Sequence, residues 1–328
     1  MVYRRLVITA VAGLGLAPVS IAPTARAQAL AKPARILVGF QPGGAPDIAA
    51  RLIADQLKGY APSIIVDNHP GAGGRLALEA LKTADADGTV LCMTPGDQLT
   101  VFPHVYKTLK YDPLRDFVPV TTVCTAQFVF VVGPMVPARV ATLADFIGWC
   151  RVNPKLATFG SPGAGTLPHF LGSGLAREAG VELVHLPYKG GAAAIQDLLA
   201  GQLPAAVFTL AAVLGPVQSG SLRVLATTAP KRSPLLAGIQ TVREAGYPAL
   251  EGLIWFGILV PARTPINIVA TLNTMLRQVL QSEAVKAGLA RQSLEVASST
   301  PSEFAELLKS DTARWGELVN KSAFAPLE

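Results

Sequence analysis

Residues 35–57 read RILVGFQPGGAPDIAARLIADQL, and residues 156–176 read LATFGSPGAGTLPHFLGSGLA. Both stretches run from an apolar strand through a glycine-containing turn into a helix. Such a turn directs free backbone N–H groups and the positive end of a helix dipole at one point, which favours an anion. One turn of this kind is ordinary in proteins of alternating strands and helices. Two of them indicate a cleft that holds an anion from both sides.

Strand-like and helical segments alternate around these two stretches. The first is followed by the strand-like run SIIVDN, the helical stretch RLALEALKTA and the strand-like run TVLCMT. This βαβαβ order predicts a parallel sheet covered by helices, and the order restarts from Thr142. Between the two units lie two successive strand-like runs, FVPVTTVC and QFVFVVGP, and a later run, EGLIWFGILVPA, is predicted to return the chain. We therefore predict an α/β fold of two lobes with two chain crossings, residues 34–128 with 255–328 and residues 129–254.

The C-terminal part of the chain is predicted to be helical and to pack on the first lobe. Thr264-Pro265 is typical of an N-cap followed by a proline at the first helical position, and residues 300–303 form a capping box. The last helix has an apolar stripe, which predicts that it docks on a core. The stripe consists of Phe304, Leu307, Leu308, Trp315, Leu318 and Val319.

Residues 1–27 have the pattern of a secretory signal peptide. Arg4 and Arg5 precede an apolar run, and residues 25–27, Ala-Arg-Ala, form a small-x-small cleavage site. The apolar run is shorter than the roughly 20 residues that span a bilayer. We expect cleavage after Ala27 and export to the periplasm.

The composition argues against nucleic-acid and metal binding. The formal net charge is +6, of which Arg4, Arg5 and Arg26 account for three, and aromatic residues make up 6% of the chain without basic runs between them. The three cysteines allow at most one disulfide, and the four histidines lack metal-ligand spacing. We expect no metal and no cofactor.

The sequence lacks most of the motifs that are typical of catalytic sites. The chain has neither a G-x-S-x-G elbow nor a phosphate loop ending in Gly-Lys-Ser/Thr. Ser161 with His169 or His185 could form a nucleophile and base, but the sequence suggests no acidic partner. Asp47, two residues past a proposed helix start, is favoured there by the dipole and could also meet a ligand or ordered water. Tyr188 is placed to form a wall of the cleft.

The chain resembles the Bug-type periplasmic receptors, the solute-binding components of tripartite tricarboxylate transporters. The resemblance covers essentially all of the chain after the signal peptide. The family's run Gly-Gly-x-x-Asp-x-x-Ala-Arg is present at 43–51, and its Asn-Arg-Pro-Gly-Ala-Gly-Gly turn is present at 68–74 with His69 in place of arginine. Further matches lie at 87–88, 111–117, 163–169, 187–190, 244–248 and 255–265.

This resemblance implies a type II-like Venus flytrap that closes on a small carboxylate. The ligand would be held by backbone N–H groups, hydroxyls and water instead of an arginine clamp. The protein would act as a monomer and deliver the ligand to membrane transporter subunits. The candidate ligand-binding residues are Phe40, Gly43, Gly44, Asp47, Thr94, Ser161, Gly163, Gly165, Thr166, His169, Tyr188 and Thr209.

Two other functions stay open on the sequence alone. A sensory carboxylate receptor would share the fold and the ligand but signal to a membrane kinase. A secreted α/β hydrolase would use Ser161 as its nucleophile. The absence of an elbow motif argues against the hydrolase, whereas nothing in the chain separates transport from sensing.

Overall fold

The computed structural model describes residues 30–188, 190–322 and 324–328. The predicted signal peptide at 1–27 and Lys189 lie outside the described residues. Within them, no helix combines the length and apolarity needed to cross a bilayer.

Helices and strands alternate as the sequence pattern predicts. The strands are β1 Ala34–Val38, β2 Ile64–Asn68, β3 Val90–Pro95, β4 Phe117–Val132, β5 Thr158–Ser161, β6 Val184–Pro187, β7 Ala205–Thr209, β8 Arg223–Thr227, β9 Leu253–Pro261 and β10 Glu295–Val296. The helices are α1 Ala45–Gln56, α2 Arg75–Thr83, α3 Asp97–Thr100, α4 Phe102–Val105, α5 Leu143–Val152, α6 Leu167–Ala179, α7 Gly191–Leu199, α8 Leu210–Gln218, α9 Ile266–Leu280, α10 Glu283–Ala290 and α11 Pro301–Lys321.

Strand β4 joins two groups of strands. Its residues 117–127 pair antiparallel with β9, which continues the order β2-β1-β3-β9-β4, and β10 lies beside them. Its residues 128–132 pair antiparallel with β7 on one side and β8 on the other, and β5 and β6 follow β7. We call these the first and second strand groups. The buried core continues along β4 through both groups, with Val123, Ala126 and Phe128 among its members.

The carboxyl ends of the parallel strands in both groups point at the middle of β4. In the first group β4 runs in the same direction as β1 and β3, whereas in the second group it runs opposite to β5 and β7. Pro95 at the end of β3 and Cys124 of β4 both pair with Phe256 of β9, so they lie at the same level of the sheet. Thr209 at the end of β7 pairs with Phe128 of β4. Four residues of strand span roughly 13 Å, so the turns that follow β1 and β5 both face this part of β4.

Two local predictions were wrong. The runs FVPVTTVC and QFVFVVGP form one 16-residue strand, because bulges near Pro119 and Thr122 allow it to bend without ending. Helix α9 begins at Ile266 with Pro265 as its N-cap residue, and the hydroxyl of Thr264 is buried without a partner. The capping box at Thr300 is confirmed: Thr300 accepts from the backbone of Glu303 and the Glu303 carboxylate accepts from that of Thr300.

The last helix packs on the core, as its apolar stripe predicts. Phe304, Leu308, Trp315 and Val319 are buried. Helix α11 contacts α3 and α4 of the first strand group and also α6 of the second. The C-terminal segment is therefore in contact with both groups.

Candidate ligand site at two glycine turns

The first turn connects β1 to α1. Gly43 has φ +91°, a backbone conformation that residues with a side chain rarely adopt, and Gly44 is the N-cap residue. Among the described residues, the amides of Gly44 and Ala45 donate to no protein acceptor. Pro46 lies in the first turn of α1 and has no N–H to satisfy. The turn therefore presents unpaired N–H groups at the positive end of a 12-residue helix.

Asp47 holds this turn together from beneath. Its side chain is 2% exposed, and its carboxylate accepts from the Gly43 amide at 2.9 Å. Arg51 donates to both carboxylate oxygens at 2.9 and 3.0 Å, and Asn68 donates to Oδ1 at 2.9 Å. Asn68 also donates to the Phe40 carbonyl at 3.0 Å. Four hydrogen bonds leave this carboxylate no room for a ligand, so the structural interpretation of Asp47 fits the geometry.

These contacts also keep Asp47 ionised. Burial acts to raise its pKa, but the hydrogen bonds from Arg51, Gly43 and Asn68 outweigh it and hold the pKa below its usual range. The Arg51 charge is in turn matched by the carboxylate. The first turn thus contains a buried carboxylate paired with a half-exposed arginine, and the pair has no net charge.

The turns after β2 and β3 support the first turn. A Cβ built on Gly39 would lie 2.5 Å from the Gly74 carbonyl oxygen, so these two backbones are in close contact. Gln98 donates to the Gly73 carbonyl at 2.7 Å and accepts from Thr94 at 2.5 Å. Thr94 is 1% exposed, so its hydroxyl acts inside this network.

The second turn connects β5 to α6. The Ser161 hydroxyl, 0% exposed, donates to the Gly163 carbonyl at 2.9 Å and accepts from the Gly163 amide at 3.3 Å. Thr166 donates to the same carbonyl at 2.8 Å, and Gly165 has φ +73°. Within the described part of the chain, the amides of Thr166 and Leu167 at the start of α6 donate to no protein acceptor. This turn therefore repeats the chemistry of the first one.

Two stacked histidines lie under the second turn. The rings of His169 and His185 are 3.8 Å apart between centroids and nearly parallel, at 14°. His169 Nδ1 accepts from the Gly165 amide at 3.2 Å, which requires this nitrogen to be unprotonated. His185 Nε2 lies 2.7 Å from Ser161 Oγ. The Ser161 hydroxyl thus lies between the Gly163 carbonyl and the His185 ring, within hydrogen-bond distance of both.

Both imidazoles are neutral at pH 7. Burial lowers the pKa of His169 to about 4. Burial, together with the neighbouring His169 ring, lowers the pKa of His185 to about 3. A proton on His169 Nδ1 would clash with the Gly165 N–H. The hydrogen bond that fixes Gly165 therefore requires the neutral form of this ring.

Two further candidate residues lie at the carboxyl ends of neighbouring strands. Tyr188 follows β6 and donates to Asp197 at 2.8 Å, and its ring lies 3.3 Å from a Cβ built on Gly160. Burial, together with Asp197, raises the pKa of Tyr188 to about 12. Thr209 is the N-cap residue of α8. Tyr188 borders the second turn, and its amide donates to the Ser161 carbonyl at 3.2 Å.

The larger surface cavities lie away from the two turns. One of about 620 Å³ is lined by Tyr106 and residues 109–116, and another of about 490 Å³ is lined by Lys32, Arg35 and residues 83–85. Among the described residues, no cluster of histidine, cysteine or carboxylate side chains could hold a metal ion. Cys92, Cys124 and Cys150 are buried and free.

Several residues that hold the turns in place were not among the predicted site residues. Asn68 and Gln98 donate to backbone carbonyls 28 and 25 positions away, and Arg51 donates to the side chains of Asp47 and Asn68. His185 was considered only as a catalytic base. Arg51 and Asn68 lie within the family motifs at 43–51 and 68–74, so the resemblance to the family could have identified them. Nothing in the sequence pattern marked Gln98.

Comparisons with known proteins agree with this architecture. Residues 49–324 match the tripartite tricarboxylate transporter family receptor. The chain is 30% identical to protein BugT of Bordetella pertussis, over 96% of this chain and 97% of BugT. It superposes on R. palustris Rpa4515 with adipate at a TM-score of 0.81, with 30% identity over 90% of this chain and 99% of that one.

A second solved structure is MatC (Rpa3494) from Rhodopseudomonas palustris with bound malate. Its TM-score is 0.76, with 25% identity over 88% of this chain and 99% of MatC. The fold is that of the two-lobed periplasmic binding proteins, as the sequence predicts. The match over residues 49–324 shows that the chain belongs to the tripartite tricarboxylate transporter receptor family.

Proposed function

We propose that this protein is a periplasmic solute-binding protein that captures a small carboxylate between its two glycine turns and delivers it to a tripartite tricarboxylate-type transporter. The observation that carries the proposal is the placement of two helix N-termini, each with unpaired N–H groups, on either side of the middle of β4. A carboxylate between them would accept hydrogen bonds from both.

The chemistry of the turns favours an anion without a cationic clamp. Arg51 is paired with the Asp47 carboxylate and also donates to Asn68, so its charge is already matched. The positive potential at the site therefore comes from amides and helix dipoles. Short charge-assisted hydrogen bonds in a closed cleft are poorly screened, so the affinity should depend only modestly on salt.

We place the two lobes at residues 34–128 with 255–328 and at residues 129–254. The change of pairing partners on β4 between Gln127 and Phe128 supports the first boundary, and the start of β9 at Leu253 supports the second. Ligand contacts with both lobes would stabilise the closed arrangement by population shift.

The candidate residues divide into two roles in this proposal. Gly43, Gly44, Gly163 and Thr166 form the surfaces that meet the ligand, with Phe40, Tyr188 and Thr209 around them. The buried residues Asp47, Thr94 and Ser161 position the backbone, and His169 fixes Gly165. The relatives crystallised with adipate and malate make dicarboxylates the first ligands to test.

The geometry disfavours the hydrolase alternative. Ser161 is fully buried, and its hydroxyl bonds to the carbonyl and the amide of Gly163 within its own turn. Among the described contacts, no carboxylate orients either imidazole. An activated serine needs an accepting base that is itself oriented. The sensory alternative shares this site and differs only in its membrane partner.

The proposal is tested by ligand screening of the chain lacking residues 1–27. Malate and adipate are compared with adipamide, which has a similar length but no charge. A carboxylate at a hundred times its dissociation constant should stabilise the folded protein by about 2.7 kcal/mol, which a melting curve detects and calorimetry confirms. Failure of every carboxylate, or equal binding of adipamide, would contradict the anion site.

The transport step needs a separate experiment in cells. A strain lacking this protein should lose uptake of the labelled carboxylate that binds in vitro. A strain that keeps uptake but loses a transcriptional response to that carboxylate would support the sensory alternative. Cell fractionation of the tagged protein tests the periplasmic location.

A further inference from the structure

The C-terminal tail, residues 324–328, is hydrogen-bonded to the end of α4 and to the residues that follow it. The Leu327 amide donates to the Val105 carbonyl at 2.7 Å, and the Lys107 amide donates to the Leu327 carbonyl at 2.9 Å. These bonds form an isolated parallel bridge between Leu327 and Tyr106. The end of the chain is thus attached by its backbone to the first strand group.

The same tail packs on the second glycine turn. The Phe324 ring meets His169 edge-on at 5.4 Å between centroids, and it meets Phe170 edge-on at 5.3 Å. Both of these partners lie in the first turn of α6. Edge-to-face contacts of this kind are favourable beyond the area they bury.

Gly165 is the point at which these contacts meet. A Cβ built on it would lie 3.2 Å from Leu327, 3.5 Å from Val105 and 3.6 Å from Phe324. Its amide is held by His169, which Phe324 covers. The conformation of the second turn therefore depends on a tail that is bonded to the other side of the cleft.

We propose that the C-terminal tail is a strap across the cleft, in which Phe324 and Leu327 are positioning residues for the ligand. Phe324 packs against the His169 ring and keeps it in contact with Gly165. Leu327 connects this contact to α4 through its bond to Val105. The strap preorganises the second turn and holds it near the first strand group before a ligand arrives. Its effect on ligand affinity rests on the function proposed above, whereas its effect on the unliganded protein does not.

The expected effect follows from population arithmetic. If the strap keeps most molecules competent to bind, and its loss leaves about a tenth of them competent, the apparent dissociation constant rises about tenfold. The exposed ion pair between Lys107 and Glu328 should add little, because such pairs are screened by water. The backbone bridge and the Phe324 ring should account for the effect.

The test compares the wild type with a chain that ends before Phe324, with Phe324→Ala and with Glu328→Gln as the matched control. Malate and adipate serve as probes in calorimetry. We expect about tenfold weaker binding for the truncated chain, a smaller loss for Phe324→Ala and wild-type affinity for Glu328→Gln. Hydrogen exchange of the amides at 163–167 in the unliganded proteins should become faster in the first two variants only.

The two readouts separate the strap from the proposed function. If the wild type binds no carboxylate, the proposed function fails, but faster exchange at 163–167 in the truncated chain would still support the strap. If the wild type binds and the truncated chain binds equally well with unchanged exchange, the strap is refuted. A truncated chain with a lower melting temperature but unchanged affinity and unchanged exchange at 163–167 would also overturn it, since the tail would then only stabilise α11.

Discussion

Placing a carboxylate at Gly163 should abolish ligand binding without unfolding the protein. Gly163 is not in the positive-φ region, and a Cβ there would make ordinary contacts, 3.5 Å to Thr166 and 3.7 Å to the Tyr188 carbonyl. The position therefore accepts a side chain, unlike Gly165 with φ +73°. Gly163→Asp adds a negative charge beside the unpaired amides at the start of α6, where the ligand carboxylate should lie.

The magnitude follows from Coulomb's law with a matched control. Two carboxylates about 5 Å apart at an effective dielectric constant of about 20 repel by roughly 3.3 kcal/mol, or about 250-fold in affinity. Gly163→Asn has nearly the same size and no charge, so it reports the steric part alone. The difference between the two variants should therefore be two orders of magnitude or more, because the new carboxylate can also take the amides for itself.

Calorimetry with malate and adipate on the wild type and both variants measures this difference. Circular dichroism and urea unfolding should show that both variants are folded, and the Asp variant should be as stable as the Asn variant or more so, since its charge lies near a helix N-terminus. Equal affinity of the two folded variants would refute the anion site at the second turn.

Three further predictions concern stability and processing. Asp47→Ala should lower the free energy of unfolding by about 1–2 kcal/mol in urea, because it removes the acceptor of the Gly43 amide and of one Asn68 hydrogen bond and the partner of the half-exposed Arg51 charge, and Asp47→Asn should lower it less; a change below the error of the method would contradict this role. Since burial holds the pKa values of His169 and His185 at about 4 and about 3, the unfolded chain binds more protons than the folded chain below about pH 6.5. The contribution of these two histidines to the free energy of unfolding should therefore decrease as the pH is lowered, by about 2 kcal/mol from about pH 6.5 to about pH 5 after allowance for partial exposure, and replacing both histidines by glutamine should remove this part of the pH dependence. The mature protein should begin at Gln28, and an intact mass that includes residues 1–27 would overturn the signal peptide.

The order of helices and strands could be predicted from the sequence because the signals are local. Periodicity and glycine turns located both β–turn–α units, and the capping box at Thr300 marked the start of α11 to the residue. The bend of β4 could not be predicted in this way. A bulge depends on the partner strand, so the single-chain pattern suggested two short strands where pairing with β9 and β7 maintains one.

The backbone turns of the candidate site could be predicted from the sequence, but the side chains that hold them in place could not. Gly43 and Gly165 stand out because their positive φ angles suit few other residues. The groups that fix them are distant in sequence: Asn68 lies 21 positions from Asp47, and His185 lies 24 from Ser161. Periodicity gives no information about pairs of this kind, because only the tertiary fold determines which side chain reaches which backbone group.

In both turns, charged or titratable side chains hold the backbone in place, and other groups are left to bind the ligand. Asp47 in the first turn and His169 with His185 in the second bond to the backbone or stack on each other and lie beneath the surface that meets the ligand, and Arg51 neutralises the Asp47 charge. The groups left for the ligand are amides and hydroxyls, which have no charge to neutralise. A site of this kind distinguishes ligands by the distance between the two turns more than by total charge. That distance depends on the bend of β4 and, if the strap operates, on the C-terminal tail, so substitutions remote from both turns can alter which carboxylate fits.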